Sequence, residues 1–475
     1  MGYHLTPTNR IEATLRSGGI YNAGFRGSGS RFGWEDKRRE NQSLDLIYTG
    51  QGPWLTSELT SQLYAFKDTD DFRWLPEFTN FRQLRGIGTK TFMTYPLTDT
   101  NELLVGFDVE QSRLRTERIS GGGQTIQPFD NNFNTLDFGF YAEDVQRFFD
   151  DRLGLRAGLR YDRGRVEVRE TPGRPGIEES TNTFDAFTYS TGAAWHATER
   201  WTMRTSVGSG FRAPSGSELA TGFTTTGNPP SQVLGNPGLD PEKSLGAEVG
   251  VTYERREWRS DAALFHNRIR DFITTRPIDN DPDTGQERSR FTNADKATIT
   301  GLESFNRLEV GELLGVDYRL ALFANAVYHF EFDTDEPGPA PNSTKIERMY
   351  RYQGSVGSIF GHGRWSTRFT GILRGPMYYN TEEPLRIPDF RPQRQWMMRK
   401  SPFWVFNARF EFQATENMML WAGVNNIFDK NEHPIFLALN EEPSKYPDSV
   451  VNNPDRGFGN SMPGREFLVG LEWFF

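Results

Sequence analysis

The sequence predicts an all-β protein, a large antiparallel transmembrane β-barrel of about 18 strands. Three observations carry that expectation. Apolar and polar residues alternate with period two along much of the chain, the connections between alternating segments sort into very short and very long, and no apolar run is long enough for a membrane helix.

The alternation comes first. In 153 to 162, Leu153, Leu155, Ala157, Leu159 and Tyr161 oppose Gly154, Arg156, Gly158, Arg160 and Asp162. In 247 to 254, Ala247, Val249, Val251 and Tyr253 oppose Glu248, Gly250, Thr252 and Glu254. In 404 to 413, Trp404, Phe406, Ala408, Phe410 and Phe412 oppose Val405, Asn407, Arg409, Glu411 and Gln413. Successive strand residues point to opposite faces, so each segment has one apolar face and one wet face. The apolar series run about as far as the ~9 to 11 residues of a tilted membrane strand.

The connections come second. Tight turns are expected at 150–152, 198–200, 255–257, 362–364 and 415–417, and long Gly/Pro/Asn-rich links at 170–183, 213–243, 276–290, 333–346, 377–401 and 429–463. Short and long alternate, which places all the long ones on one rim, as in outer-membrane barrels with tight periplasmic turns and long extracellular loops.

Composition comes third. Hydrophobic residues make up 36% of the 475 residues while aromatics reach 14%, a balance that suits a wide covered surface better than a deep aliphatic core. The net charge of -9 argues against a nucleic-acid partner, because phosphate binding needs a basic surface. Cys is absent, which removes disulfides and thiolate metal sites.

Both ends read as strand. GREFLVGLEWFF (464 to 475) alternates to its last residue, with Phe467, Val469, Leu471, Trp473 and Phe475 on one parity. Such an end is held only by pairing with another strand. At the other end TPTNR (6 to 10) reads as a tight turn, so Met1 to Leu5 is expected to be the tail of an earlier strand.

Four internal stretches carry further signal. FRAPSGSEL (211 to 219) and GNPGLDPEKS (235 to 244) bracket a long link, NADKATITGLE (293 to 303) opens a later strand, and VNNIFDK (424 to 430) ends the penultimate one. With the terminal GLEWFF, their order and spacing resemble the barrel domain of TonB-dependent receptors across essentially the whole chain. The resemblance implies a barrel of the ~22-stranded, plugged type. It also implies outer-membrane placement, a plug and a TonB partner supplied by residues this sequence lacks, and recognition of Phe475 by barrel-assembly machinery. The expected reading is thus residues 1–475 as the C-terminal barrel portion of a longer receptor, in contact with lipid bilayer and lipopolysaccharide.

Within the motifs, loop architecture explains most residues. Pro214, Pro237 and Pro241 end ladder pairing because proline lacks an N–H, and Asn236 supplies turn geometry. Phe211, Glu242, Gly301, Glu303, Asn426 and Phe428 are read as motif residues of the same structural kind. Glu218 and Glu242 are expected to bond loop backbone. Arg212 is the candidate anion contact, since a guanidinium grips a carboxylate or chelate bidentately, and it is equally able to pair with an inner carboxylate. Arg212, Glu218 and Asn236, with the loop residues Tyr378, Tyr379, Arg391 and Arg394, form the expected ligand-binding set.

No catalytic constellation, metal site or cofactor is expected. GxSxG is absent, and paired carboxylates on alternating strands are read as inner-face charges balanced by Arg. Haem receptors of the resembled family carry an axial His in the link that 215 to 235 occupies, and that stretch has none, though His433 lies in a later link. The expected function is import of a scarce metal chelate, foremost a ferric siderophore. A passive porin, or a haem, cobalamin or oligosaccharide receptor of the same barrel type, is the alternative.

Overall fold

The computed structural model describes residues 2–24, 33–52, 57–75, 78–174, 177, 179–220, 222–224, 231–280, 287–335, 345–346, 349–380, 397–400, 402–430 and 464–474. The first strands are β1 (Gly2–Thr6), β2 (Asn9–Gly24), β3 (Gly33–Gln51), β4 (Glu58–Leu75), β5 (Phe78–Pro96), β6 (Asn101–Ser120), β7 (Thr125–Ile126) and β8 (Asn132–Phe148). There follow β9 (Leu153–Arg169), β10 (Ser180–His196), β11 (Trp201–Arg212), the short helix α1 (Gly216–Ala220), β12 (Gly222–Thr224), β13 (Ser231–Leu234), β14 (Glu242–Glu254) and β15 (Trp258–Pro277). The remainder comprises β16 (Glu287–Glu309), helix α2 (Val310–Leu314), β17 (Arg319–Thr334), β18 (Tyr352–His362), β19 (Trp365–Arg374), β20 (Met377–Asn380), β21 (Met397–Lys400), β22 (Phe403–Thr415), β23 (Met418–Asn425) and β24 (Glu466–Trp473).

Twenty-two of these strands form one sheet, and β20 with β21 forms a separate hairpin. Consecutive long strands pair antiparallel, as between β3 and β4, β8 and β9, β17 and β18, and β23 and β24. Among the described residues, six strands have five residues or fewer, and the 18 longer ones match the number expected from the alternation. Tight links of a few residues join β8 to β9, β18 to β19 and β22 to β23, as the sequence predicts. Several ladders run further than the alternation implied: β10 begins at Ser180 and β16 at Glu287, inside stretches expected to be loop. Backbone pairing does not need an apolar face, so it continues where side chains become polar on both sides.

The Cα positions group into two compact units. Unit 1 comprises Met1–Ala193, Ser206–Leu245 and Ile269–Lys296, and unit 2 comprises Ala194–Thr205, Gly246–Arg268 and Ala297–Phe475. In unit 1 the apolar parity is the exposed one: Phe107, Phe140 and Tyr161 lie abreast on β6, β8 and β9. Unit 2 repeats the pattern, with Leu420 opposite Leu471 and Ala422 opposite Val469, the latter 85% exposed. Among the described residues, exposed large hydrophobic side chains outnumber buried hydrophobic ones about three to one. That inversion suits hydrocarbon and is unfavourable in water.

The opposite parity carries charge, and the charges are paired. In unit 1, Arg160 bridges Asp108 at 2.8 Å and Arg16 bridges Asp45 at 2.8 Å. In unit 2, Arg204 bridges Asp261 at 2.6 Å and Arg409 bridges Glu472 at 3.1 Å. The tight-turn ends carry a ring cluster, with Trp201 and Tyr253 at 4.8 Å and Tyr253 and Trp258 at 5.2 Å between centroids. Rings with one apolar body and one polar edge suit a membrane interface.

A charge placed on the exposed apolar face is the sharpest check of this inversion. Phe140→Arg is expected to destabilise the folded protein in lipid by roughly 2–4 kcal/mol, read by reversible urea unfolding.

Candidate functional site

The long link after β11 is anchored by its own sequence. Ser215 Oγ accepts the Glu218 N–H at 3.2 Å, and Glu218 Oε2 accepts the Ser215 N–H at 2.7 Å. This Ser-x-x-Glu reciprocity is a capping box, and it starts helix α1. Arg212, the last residue of β11, faces both motif glutamates. Its Nη1 and Nη2 donate to Glu218 at 3.0 and 3.1 Å, while Nε and Nη2 donate to Glu242 at 2.7 and 2.8 Å. Glu242 Oε1 also accepts the Ile273 N–H at 2.8 Å, which ties β14 to β15.

One guanidinium therefore neutralises half the charge of two carboxylates. Arg212 remains partly exposed, whereas the side chains of Glu218 and Glu242 are 16% and 13% exposed. Burial pushes the Glu218 carboxyl up, but hydrogen bonds from Arg212 and from Ser215 outweigh it and hold the group below the usual carboxylate range.

Asn236 works through both ends of its amide. Its Oδ1 accepts the Gly238 N–H at 2.9 Å, its Nδ2 donates to the Phe291 carbonyl at 3.0 Å, and its backbone N–H reaches the Glu218 carbonyl at 2.9 Å. Asn182 Nδ2 donates to the Pro237 carbonyl at 2.9 Å. Asn293 donates to the carbonyls of Asp240 and Asp271 and accepts the Asp240 N–H. Under this polar lattice sits an apolar cluster of Val166, Val168, Phe184, Leu219, Leu239 and Ile273, against which Phe211 packs. Leu219 and Pro214 are fully buried, and Pro241 is half-buried just before β14.

A neighbouring layer of unit 1 stiffens the same end. Ser217 Oγ donates to Asp130 at 2.8 Å, and Arg82 donates to the same carboxylate at 3.2 Å. Arg174 is buried in the 170–179 link and donates to the carbonyls of Pro128 and Phe129 at 3.1 and 2.9 Å. Burial lowers its guanidinium to about 10.

The other expected residues lie apart from this lattice. In unit 2, Gly301 sits at a register shift of the β16–β17 ladder, where an added Cβ would lie 2.5 Å from the Phe265 ring and 2.7 Å from the Tyr328 carbonyl. Glu303 lines a polar-face concavity of about 500 Å³ with Phe305, Asn325, Gln353, Ser355 and Arg374. Asn426 holds a left-handed backbone (φ 52°) and clasps Lys430 through both amide atoms, at 2.8 and 2.9 Å. Asn tolerates that conformation because its short amide bonds locally. Phe428 packs edge-on against Phe406 at 5.4 Å. Tyr378 and Tyr379 lie on β20 opposite Arg399 and Met398. Arg391, Arg394, His433 and Phe475 lie outside the described residues.

Sequence reasoning missed Ser215, Asn293, Asn182 and Asp130. The Ser-x-x-Glu spacing was a readable signal for the first, while the other three meet Asp240, Pro237 and Ser217 across 53 to 87 positions of chain.

Residues 2–427 match the family model described as TonB dependent receptor-like, beta-barrel. The chain belongs to that family, whose members are β-barrels of the Gram-negative outer membrane. It is similar to the pesticin receptor of Yersinia pestis, 22% identical over 342 residues that make up 70% of this chain and 46% of the relative. It is also similar to the ferric enterobactin receptor PirA of Pseudomonas aeruginosa, 25% identical over 280 residues, 56% of this chain and 34% of the relative. The chain thus spans about half or less of the length of these curated relatives. Among solved structures, the copper transporter OprC superimposes with a TM-score of 0.74 at 17% identity, covering 100% of this chain and 72% of that one. The ferric citrate transporter FecA gives 0.72 at 14% identity, covering 100% and 69%. At such identities these superpositions carry the fold.

Two outcomes follow for the anchor. Arg212→Ala leaves two carboxylates facing each other and is expected to cost about 1–3 kcal/mol locally, seen as faster amide exchange at Ser215 and Ile273. Arg212→Lys is not expected to rescue it, since a point charge cannot fork to both partners. Because the native Glu218 pKa is depressed, its stabilisation is present above the unfolded value of about 4.3 and is lost as pH falls through the native one. Exchange protection at Ser215 should therefore hold from neutral pH down to about pH 5 and fade in stronger acid, with the fading absent in Glu218→Gln.

Proposed function

We propose that the chain is the barrel of an active-transport receptor that captures a scarce metal chelate, foremost a ferric siderophore, and passes it inward with energy supplied through TonB. The observation that carries this reading is the family match over residues 2–427. It is supported by the names of similar proteins, a ferric enterobactin receptor and a ferric citrate transporter among them. The similar proteins are receptors and transporters, and the barrel in this proposal supplies selectivity and passage without bond chemistry.

In this reading the Arg212–Glu218–Glu242 lattice is the rigid base of the 213–241 link, and the ligand is met above it. The Arg212 side chain remains partly exposed there. Tyr378, Tyr379, Arg391 and Arg394 are the further proposed contacts: phenol and guanidinium groups suit the oxygen-rich, anionic shell of a ferric chelate. A plug of the same receptor type would occupy the barrel and respond to TonB, and folding would go through the barrel-assembly machinery.

Radiolabelled uptake tests this in cells lacking their own iron receptors and expressing the full gene product. Energy-dependent accumulation of at least one ferric chelate, abolished in a strain without TonB, is the expected result. Equal accumulation with and without TonB would identify a passive channel instead. Loss of uptake on replacing Arg391 and Arg394 with Ala, with surface expression unchanged, would place the ligand on that link.

A further inference from the structure

The long-link end of unit 1 encloses more guanidinium than carboxylate. Asn80 on β5 lies opposite Arg118 on β6, and Arg82 lies opposite Thr116, on the parity that carries Asp108. The Arg118 guanidinium sits 3.6 Å from the Phe78 ring centroid and 4.4 Å from that of Phe129, and its Nη1 donates to the Gln127 carbonyl at 3.2 Å. Arg174 reaches the carbonyls of Pro128 and Phe129 from the next link, so Phe129 touches both guanidiniums. Asn132 ties the layer together. Its Oδ1 accepts the Thr116 N–H at 2.8 Å, its Nδ2 donates to the Glu170 carbonyl at 2.9 Å, and its own N–H donates to Thr171 Oγ1 at 2.8 Å.

Burial here is nearly complete, with Arg118 7% exposed, Arg174 5% and Asn131 0%. The charges do not balance. Arg82 donates to Asp130, which Ser217 also engages, and Asp70, opposite Arg82, is bridged to Arg39 at 3.6 Å. Arg39, Arg82, Arg118 and Arg174 thus stand against Asp70 and Asp130, while Asp71 and Glu117 belong to the opposite parity. A buried charge is costly unless it is paired. Arg174 shows that cost: burial lowers its guanidinium to about 10, and the field of Asp130 opposes the shift without cancelling it.

The polar atoms of this layer say what would balance it. Arg174 Nη1, Asn131 Nδ2 and Oδ1, Asn80 Oδ1 and Thr116 Oγ1 are buried and make no hydrogen bond among the described residues. Native proteins rarely leave such atoms unmet, because each forfeits its hydration. The guanidinium, the amide N–H and the hydroxyl are donors, and the two amide oxygens are acceptors. A water alone serves both kinds but leaves the excess charge in place. An anion takes the donors and reduces that charge. Enclosure sets its size: beside a fully buried Asn131, a monatomic ion accepts from any direction and brings no group that needs a partner of its own.

We propose that Arg174 Nη1, Asn131 Nδ2 and Thr116 Oγ1 hold a small monovalent inorganic anion of the halide class, with a water beside it donating to the amide oxygens of Asn80 and Asn131. Hydrogen bonds to an ion are about twice as strong as neutral ones, so three of them fasten the 120–132 and 170–179 links to the β5–β6 wall. The ion is enclosed and structural. It is separate from any transported ligand, and its failure would leave the receptor reading untouched.

The test uses the full chain in detergent micelles with bromide as probe. Amide exchange is followed at Asn132 and Arg174, whose N–H groups both bond Thr171. Exchange there passes through local opening, and an anion bound only in the closed state multiplies protection by one plus its concentration over Kd. At about ten times Kd the parent is expected to exchange about tenfold more slowly than in gluconate of equal ionic strength, which screens surface charge to the same extent. Arg174→Gln should lose the bromide response, and Asn131→Leu should need about tenfold more bromide to show it. Parent crystals soaked in bromide should give an anomalous scattering peak beside Arg174 Nη1. Equal exchange in bromide and gluconate, or density there with no anomalous signal, assigns a water alone and overturns the proposal. Should Arg174→Gln loosen the layer too far to be followed, Asn131→Leu takes its place, and an unshifted bromide dependence in that variant is decisive against.

Discussion

A backbone that enters hydrocarbon brings its N–H and C=O groups with it, and each must find a partner because no water is there to supply one. An unpaired group costs several kcal/mol, so a strand in lipid is stable only between two others. The rest of this structure follows from that demand. Consecutive long strands pair antiparallel, tight turns close one end of the pairs, and side chains are left to divide between lipid and a charged interior face. Period two then sorts the sequence: Phe140 and Val469 go one way, Arg160 and Arg204 the other.

The constraint relaxes beyond the apolar band, and the structure changes there. The ladders run on, but their outward side chains become Arg and Lys, and the links carry polar lattices that would be unaffordable in lipid. Around Arg212 the motif residues are occupied with one another, two glutamates with one guanidinium and Asn236 with three backbone groups. That arrangement holds a long link close to the strand ends at a cost in freedom that the apolar cluster of Leu219, Leu239 and Ile273 offsets. A stiff base of this kind presents whatever the link carries above it in a fixed place.

How legible this was depended on the range of the interactions. The strands and tight turns were readable because alternation is a local property: Leu153 to Asp162 or Trp404 to Gln413 state their own faces. The proline and glycine roles were readable for the same reason, and Gly301 stands where a Cβ would strike Phe265. Helix α1 was hidden inside a link taken as irregular, although Ser215 and Glu218 spelled a capping box. Long-range stitches such as Asn293 to Asp240, or Ser217 to Asp130, were not readable, because a single sequence holds no signal for which distant amide or carboxylate will meet. Strands run past their expected ends for a physical reason: pairing outlasts the apolar pattern, as at Ser180 and Glu287.

The division of faces is open to direct measurement because the chain contains no cysteine. Single cysteines placed in turn from 153 to 162, each carrying an environment-sensitive fluorophore in the reconstituted protein, report which medium every side chain meets. Quenching by lipid-borne spin labels should alternate, strong at 155, 157, 159 and 161 and weak at 154, 156, 158 and 160, with a water-soluble quencher giving the reverse. Uniform quenching along the segment, or lipid contact at the arginine positions, would contradict a strand that divides hydrocarbon from a charged interior.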